Sequence, residues 1–410
     1  MIARMAWRNL WRNRRRTIIT LVSIAFGFLL SVTFTTLSDG SYGDLIDSAA
    51  HMGAGHVTIA PVGYQDKPGA DKVLTRPGAM AQDVKGRDGV AATTVRIVGQ
   101  AMVATAVNAS PAGFIAIDPG AEQGIFFILD HIVKGAAPPS PEAGKVLIGA
   151  IMARRLELKI GRKLVLTTTD RHGEVVSGLL KVSGIFSTGV DEIDQYMVIV
   201  PIDFMRPLLG YTHGEANQVA VFLEDRGAAP TMSGKLAPLA AGHGGTALTW
   251  SEMMPDVAGV ITTDKIGNYF FQVIVFLLVG AGILNTVLMG VMERMREFGL
   301  MLSLGMAPRR VWTMIMMEAC WLAVVGLLVG AVISIPVYGY LHIVGIDFSE
   351  MLKEKQVAGG VLLNTFVRAE FQVRHAAIIF GGVFAMILAA GCYPAFMAAH
   401  TSPVKTMKTL

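Results

Sequence analysis

The sequence contains little cysteine and little charge. Two cysteines in 410 residues exclude a disulfide framework, and no C-x-x-C pair or Cys/His cluster offers a structural zinc site. Charged residues make up 16% of the chain, against about 25% in an ordinary soluble domain, and hydrophobic residues make up 52%. This composition disfavours a single soluble domain. It also excludes a disordered chain, because disordered chains are rich in charge and poor in apolar side chains.

Catalytic signatures are also missing. The sequence has no G-x-S-x-G, H-E-x-x-H or D-x-D-x-D-G pattern, and its scattered histidines lack ligand spacing. The G-K pairs at 144–145 and 234–235 are followed by Val and Leu, so neither completes a phosphate-binding G-x-x-x-x-G-K-[ST] loop. The acidic cluster Asp191, Glu192 and Asp194 is interpreted as a solvated loop. We therefore expect no catalytic residue and no metal site, and the chain is not expected to be an enzyme.

Long uncharged runs account for the apolar excess. Four runs of 22 to 27 residues contain no Asp, Glu, Lys or Arg. About 20 helical residues cross a hydrocarbon core ~30 Å thick, so each run can form a transmembrane helix. The first run exceeds the apolar core of a signal peptide and no A-x-A-like site follows it, so an uncleaved anchor is expected. The predicted spans are residues 17–38, 266–292, 311–341 and 376–399.

The distribution of charge predicts the orientation of these spans. Residues 1–16 carry six arginines and no acid, residues 293–310 carry four basic and two acidic side chains, and the tail 400–410 adds two lysines. Residues 39–265 instead carry 19 basic and 24 acidic side chains, and the short 342–375 loop is balanced. A basic excess on short segments marks the cytoplasmic side. Both termini are therefore predicted inside and the large segment outside, and the basic charge reflects topology rather than nucleic-acid binding.

The large external segment has a mixed α+β pattern. Residues 163–169 and 174–186, joined by a turn at 170–173, predict a hairpin. Apolar spacing predicts helices at 150–158 and 228–241. No βαβ alternation and no repeat of 20–50 residues is present. Further strands are predicted at 56–60, 95–107, 113–118, 145–149, 196–202 and 217–223.

The segment 293–310 combines charge with a helical apolar stripe. Glu293 and Arg296 lie three residues apart and can pair on one helix face. Gly305 is placed to end a short helix and Pro308 to begin the next. A short amphipathic helix at the inner membrane face would be suited to receive force from a soluble partner. An ordinary interfacial loop explains the same pattern, and the residues alone leave both alternatives open.

Three ordered motifs resemble those of one family. Residues 293–305 (ERMREFGLMLSLG) resemble the E-R-x-R-E-x-G-x-x-x-A-x-G motif of the FtsX/MacB-like ABC transporter permeases, with Ser303 where alanine is usual. Residues 6–17 (AWRNLWRNRRRT) resemble the family's opening R-N-L-x-R-x-x-x-R-T, and residues 393–403 (YPAFMAAHTSP) its closing Y-P-A-x-x-A-x-x-x-x-P. The resemblance extends to the lipoprotein-releasing (LolC/LolE-type) branch at 146–149 (VLIG) and 184–189 (GIFSTG).

The resemblance implies a four-span permease with a MacB-like periplasmic domain between the first two spans. It implies a dimer with a second copy or a paralogue, and a separate LolD-like ATPase chain that holds ATP and Mg²⁺, so no cofactor is expected on this chain. It also implies mechanotransmission, in which closure of the ATPases moves the external domains through a cytoplasmic coupling helix. Carried onto this sequence, the coupling residues are Glu293, Arg294, Arg296, Glu297, Gly299 and Gly305.

The N-terminal segment is expected to lie at the membrane interface. Trp7 and Trp11, four residues apart, suit an amphipathic helix in the plane of the membrane. Arg14, Arg15 and Arg16 are predicted to anchor this segment to lipid headgroups and to set the topology.

Two features lie inside the third predicted span. Glu318 is the only carboxylate well inside a span, and intramembrane acids are functional candidates by default. It lies about two helical turns from Arg310, so a local ion pair is the alternative, and both stay open. Gly326-x-x-x-Gly330 permits close helix packing and is weak support for a dimer seam.

The leading expectation for function is extraction of lipoproteins from a bacterial inner membrane and their transfer to a periplasmic carrier. One alternative is a MacB-like permease with a separate ATPase that exports a peptide, toxin or drug. Another is an FtsX-like relay to cell-wall hydrolases, whose external domain is typically smaller. The sequence does not identify the substrate-binding residues.

Overall fold

The computed structural model describes residues 2–139, 144–348, 357–358, 361–362, 364 and 366–400. The helices are α1 (Ile2–Leu10), α2 (Arg14–Ala49), α3 (Pro77–Lys85), α4 (Ala150–Arg155), α5 (Asp191–Tyr196), α6 (Ile202–Leu208), α7 (Ala229–Gly242), α8 (Trp250–Met253), α9 (Pro255–Glu293), α10 (Met295–Ser303), α11 (Pro308–Ile343) and α12 (Val373–Ala399). The strands are β1 (Val57–Pro61), β2 (Leu74–Thr75), β3 (Val90–Ala104), β4 (Ala109–Ile117), β5 (Ile132–Gly135), β6 (Lys145–Gly149), β7 (Lys163–Thr169), β8 (Val175–Phe186), β9 (Met197–Pro201), β10 (Glu215–Ala216), β11 (Gln218–Leu223), β12 (Gly245–Thr249), β13 (Ile346–Asp347), β14 (Val357–Ala358), β15 (Val361–Leu362) and β16 (Phe366–Val367).

The described residues divide into two units. The helical unit contains the chain up to Ser41, Thr263–Phe348, and the described residues from Phe366 onward. The sheet unit contains Tyr42–Thr262 with the described residues between 349 and 365. Residues 401–410 of the predicted tail 400–410 carry the end of the closing motif and lie outside the described residues, as does part of the predicted 342–375 loop.

Four helices of the described chain are long and apolar enough to cross a membrane. The first is the continuous helical stretch Ala3–Ala54, which includes α1, α2 and the short helical turns between and after them. The others are α9 (Pro255–Glu293), α11 (Pro308–Ile343) and α12 (Val373–Ala399), and each of the four contains one predicted span. The predicted fold class, four such helices with an α+β domain between the first two, is confirmed.

Small residues set the packing of α11 on α2. A Cβ at Gly326 would lie 2.7 Å from the Cγ2 of Ile24, and one at Gly330 would lie 3.0 Å from the Cδ1 of Phe28. Both distances are too short for an ordinary contact, so only glycine lets the two helices approach this closely. The Gly326-x-x-x-Gly330 pattern is therefore satisfied within one chain.

We expect Gly326→Leu to destabilise the helical unit by about 1–3 kcal/mol, because the added side chain must displace Ile24. Gly339→Leu is the matched control, since no described atom of a neighbouring element lies within 4 Å of a Cβ at Gly339 of the same helix. Both changes raise helix propensity equally. The thermal midpoint of the detergent-solubilised protein should fall for Gly326→Leu alone, and an equal response of both variants would contradict this packing.

The sheet unit is organised around β3, whose two halves pair with different neighbours. Its first half joins β11 in the order β12-β1-β11-β3, and its second half joins β4. Strands β3, β4, β9, β6, β8 and β7 pair in succession, and β7 returns to β3, so hydrogen bonds close a six-stranded ring. The β4–β9 and β6–β8 pairs are parallel and the other pairs of the ring are antiparallel.

Two apolar cores support these two halves. The ring encloses buried side chains that include Phe114, Ile148 and Leu166. Helices α3 and α7 cover the four-stranded part through residues such as Met80 and Leu236. The side chains of β1 and β11 are buried throughout, whereas buried and more exposed side chains alternate along β8.

The hairpin prediction is confirmed. The interpretation of the acidic cluster as solvated holds for the exposed Asp191 and Glu192, but it is wrong for the buried Asp194, and the segment is a helix rather than a loop. Strands β7 and β8 pair antiparallel with Thr169 opposite Val175. The acidic cluster instead forms α5, and the buried Asp194 carboxylate accepts hydrogen bonds from the Ser187 hydroxyl at 2.9 Å and from the Thr188 backbone N–H at 2.8 Å. Asp194 therefore stabilises the preceding loop.

Candidate functional site

The motif residues 293–305 form a kink followed by a short helix in the helical unit. Helix α9 ends at Glu293 and α10 begins at Met295, because Arg294 between them leaves the helical conformation at φ −107° and ψ 9°. The Arg294 side chain turns inward and is 7% exposed, with its guanidinium 5.1 Å from the centre of the Phe298 ring. A charged residue therefore occupies the interior of the kink.

Two carboxylates neutralise Arg294. Its Nη1 donates to the Glu318 Oε1 at 2.9 Å, and its Nε donates to the Glu297 Oε2 at 3.2 Å. Asn9 of α1 donates through Nδ2 to the same Glu318 oxygen at 2.9 Å. Glu318 therefore forms an ion pair, but its partner is Arg294, 24 positions away, rather than the nearby Arg310.

Two arginines near the N-terminus complete the network. Arg12 Nη1 donates to Glu297 Oε1 at 2.9 Å, and Arg16 Nη1 donates to Glu293 Oε2 at 2.8 Å. A Cβ at Gly290 would lie 2.8 Å from the Arg16 Nη2, so this glycine lets the guanidinium rest against α9. The network surrounds a polar cavity of about 220 Å³.

The network shifts the pKa values of two of its members, Arg294 and Glu297. Burial lowers the pKa of Arg294, but the charges of Glu318 and Glu297 more than offset this and hold it above its ordinary value. Burial raises the pKa of Glu297, and hydrogen bonds from Arg12 and Arg294 outweigh that effect and lower it. The contribution of Glu297 to stability is therefore present at neutral pH and is lost as the pH falls through this lowered pKa.

The opposite side of α10 is exposed and partly apolar. Arg296 is exposed, Leu300 is 55% exposed, and Leu304, the residue that follows the helix, is 87% exposed. Gly299 is buried beside Phe298 on the inner side. This short helix therefore presents Leu300 outward together with Arg296, while Glu297 pairs with Arg12 and Arg294 of the same chain.

A glycine turn ends α10 directly after Leu304. Gly305 has φ +90°, and Met306 N–H donates to Met301 C=O at 3.0 Å while Gly305 N–H donates to Leu302 C=O at 3.1 Å. These two bonds form a Schellman motif, which favours glycine at this position.

We expect Gly305→Ala to destabilise the end of α10 by about 1–2 kcal/mol, because an L side chain is strained at positive φ. Gly305→Asn should cost less, since asparagine tolerates left-handed conformations. Hydrogen exchange of the α10 amides measures the effect, and equal exchange in the wild type and both variants would contradict it.

The other residues predicted in the N-terminal segment, Trp7, Trp11, Arg14 and Arg15, lie outside this charged network. The rings of Trp7 and Trp11 meet edge to face at 6.0 Å, and Trp7 also contacts Trp321 at 5.1 Å between ring centres. Arg14 and Arg15 are exposed. Sequence reasoning missed Asn9, Arg12, Leu300 and Leu304, and only the opening R-N-L pattern around Asn9 gave any signal.

The sheet unit contains a second charged centre, which the sequence analysis overlooked. Arg96 of β3 is fully buried and donates to Glu122 through Nε at 2.6 Å and Nη2 at 2.7 Å. Its Nη1 donates to the Gly53 C=O at 2.6 Å, and the rings of Phe126 and Phe222 lie 5.0 and 5.7 Å from the guanidinium carbon. Arg96 therefore joins β3 to the turn Ala50–Ala54 that follows α2.

Two family models match the chain. The model described as MacB-like periplasmic core domain matches residues 17–239, and the model described as FtsX-like permease C-terminal matches residues 269–403. The first alone covers more than half of the sequence.

Full-length relatives agree with these matches. An uncharacterised ABC transporter permease of Methanocaldococcus jannaschii is 24% identical over 99% of this chain and 97% of its own. The lipoprotein-releasing system transmembrane protein LolC of Neisseria meningitidis is 22% identical over 97% of this chain and 95% of its own. The macrolide export ATP-binding/permease protein MacB of Marinobacter nauticus is 24% identical over 98% of this chain, which spans 60% of that protein's length.

Among solved structures, the extracellular domain of the ABC-type transporter YknZ from Gram-positive bacteria aligns with 47% of this chain and 98% of its own. The TM-score is 0.34 and the sequence identity is 14%.

Proposed function

The chain belongs to the FtsX/MacB-like family of ABC transporter permeases, and on that premise we propose that it works with a separate ATPase to release lipoproteins from a bacterial inner membrane. In this proposal the basic end of the helical unit is cytoplasmic and the sheet unit is periplasmic. The permease acts as a dimer with a second copy or a paralogue, and it passes its substrate to a periplasmic carrier.

The geometry of α10 carries the coupling part of the proposal. A nine-residue helix lies between two membrane-crossing helices and presents Leu300 and Leu304 outward. Burial of an exposed Leu against a partner is favourable, and an apolar centre with a polar rim is typical of protein interfaces. An ATPase groove that receives this helix would transmit nucleotide-driven closure to α9 and α11.

The match to LolC supports lipoproteins as the substrate class, because the two chains align over nearly their full lengths. The sheet unit also has an open groove of about 1280 Å³ at one end of the six-stranded ring. Exposed cations line it, and within the described part of the chain none of these five forms an ion pair: Lys134, Arg154, Lys159, Arg162 and Lys163. A carrier with an acidic surface would be attracted to this groove.

A MacB-like exporter with a separate ATPase is the second candidate. The MacB-like core match over residues 17–239 favours it. In that case the groove of the sheet unit would receive an adaptor, and the transported compound would be a peptide, toxin or drug.

Reconstitution distinguishes the two candidates. The tagged permease is purified with its ATPase from native membranes and placed in liposomes that contain an acylated lipoprotein. We expect ATP to release the lipoprotein into the soluble fraction when the carrier is present, and non-hydrolysable nucleotide to release none. ATP hydrolysis with a co-purified adaptor and no lipoprotein release would favour the exporter, and absence of any ATPase would contradict both.

A further inference from the structure

The N-terminal segment makes polar links from three successive turns, one each to α9, α10 and α11. We propose that residues 2–16 are a positioning element that fixes the orientation of α10 for its ATPase, a proposal that rests on the coupling function proposed above. The links join Arg12 to Glu297, Arg16 to Glu293, and Asn9 to Glu318.

The links hold both sides of the kink at Arg294. Arg16 binds the last residue of α9, whereas Arg12 binds Glu297 in the first turn of α10, at 2.9 and 3.2 Å to its two oxygens. The 3-10 turn Trp11–Asn13 separates α1 from α2 and presents Arg12 in this direction. Any rotation of α10 about the kink therefore breaks a contact with the N-terminal segment.

The N-terminal segment is itself fixed to α11. The Trp7 ring packs edge to face on Trp321, and Trp321 Nε1 donates to the Ala3 C=O at 3.3 Å. Asn9 adds the hydrogen bond to Glu318 of the same helix. Residues 2–16 therefore bridge α11 and α10.

Shared carboxylates make these links more than separate surface pairs. A single exposed ion pair contributes little, and Arg12 and Glu297 are 55% and 42% exposed. Glu297, however, accepts from both Arg12 and Arg294, and Glu318 accepts from both Arg294 and Asn9. A nine-residue helix is too short to be stable in isolation, so its orientation depends on such contacts.

The chain supplies a matched control for electrostatics. Arg15 lies in the same segment and is exposed, and it forms no ion pair with any residue that the structure describes. Arg15→Glu therefore changes the charge of the tail as much as Arg12→Glu does, while leaving the links intact.

Hydrogen exchange of the full-length permease in nanodiscs tests the positioning directly. We expect α10 amides to exchange about two- to fivefold faster in Arg12→Glu, and to stay close to the wild-type rate in Arg12→Lys, which keeps a cation for Glu297. Arg15→Glu should match the wild type. The positioning role would be overturned if Arg15→Glu accelerated exchange as much as Arg12→Glu, or if Arg12→Lys exchanged as fast as Arg12→Glu.

ATP hydrolysis per bound ATPase, measured on the complex from native membranes, is the second readout. Because the rate is counted per bound ATPase, it reports on coupling rather than on how much complex survives a loss of stability. We expect a loss of about two- to fivefold in Arg12→Glu, and a rate close to that of the wild type in Arg12→Lys and in Arg15→Glu. Unchanged hydrolysis in all variants would overturn the link to coupling. A wild-type permease that binds no ATPase would contradict the proposed function, while the exchange rates would still decide whether residues 2–16 position α10.

Discussion

Arg96→Met is expected to destabilise the sheet unit by about 3–5 kcal/mol, the largest effect of any single change considered for this chain. Both partners of the pair are buried, with side-chain exposures of 0% for Arg96 and 1% for Glu122. Removal of the cation leaves the Glu122 carboxylate buried without its two donors, and it leaves the Gly53 C=O without Nη1. The cost is therefore mainly that of an uncompensated buried charge.

The double variant Arg96→Met/Glu122→Leu should recover much of this loss. Apolar replacement of both partners removes the buried charge, and such replacements are often neutral or stabilising. Chemical denaturation of the full-length protein in detergent measures both variants. A loss below about 1 kcal/mol for Arg96→Met, or no recovery in the double variant, would contradict the role of this pair.

Arg294→Met is expected to cost about 3 kcal/mol and to reduce the amount of bound ATPase. This loss of stability lies at the lower end of the range expected when one partner of a buried ion pair is removed, because the Glu318 side chain is 19% exposed and retains Asn9 as a donor. The kink between α9 and α10 also loses the residue that fills its interior. Misorientation of α10 would then weaken the contact with the ATPase.

Arg310→Met is the control for this prediction. Arg310 is exposed and lies on α11, the helix that carries Glu318. Surface changes of this type stay within about 0.5 kcal/mol. Thermal unfolding and ATPase co-purification should therefore distinguish Arg294→Met from Arg310→Met, and an equal cost would show that Glu318 does not depend on Arg294.

Local patterns predicted much of the fold. Uncharged runs indicate helices that cross a membrane, because a charged side chain is costly in the bilayer core. The hairpin at 163–186 was predictable because the turn at 170–173 joins two segments of β-branched and apolar residues. Helix α7 lies close to its predicted range, because the spacing of its apolar residues is helical.

Long-range pairing explains what the sequence did not reveal. Glu318 and Arg294 are 24 positions apart on different helices, so proximity along the chain favoured Arg310 instead. Arg12 and Glu297 are 285 positions apart. Arg96 is a single charge within an apolar strand, and only the fold brings Glu122 to it. The short elements α6 and β5 carry too few residues for a clear period.

The motif residues 293–305 differ in their structural roles, and comparison of motifs alone does not show these differences. Glu293, Arg294 and Glu297 are bound within the chain, and Gly305 forms the terminating turn. Their proposed contribution to coupling is thus to shape α10. Direct contact with the ATPase would fall to the exposed Leu300 and Leu304.

The amount of ATPase that co-purifies with Leu304→Asp tests the central claim most directly. Val107→Asp is the matched control, because Val107 is 86% exposed and Leu304 87% exposed, but Val107 lies in the sheet unit. Stoichiometric ATPase should accompany the wild type and Val107→Asp, and Leu304→Asp should lose it by more than about tenfold, as for an interface anchor. Undiminished ATPase with Leu304→Asp would contradict docking through α10, and no ATPase with the wild type would contradict the proposed coupling itself.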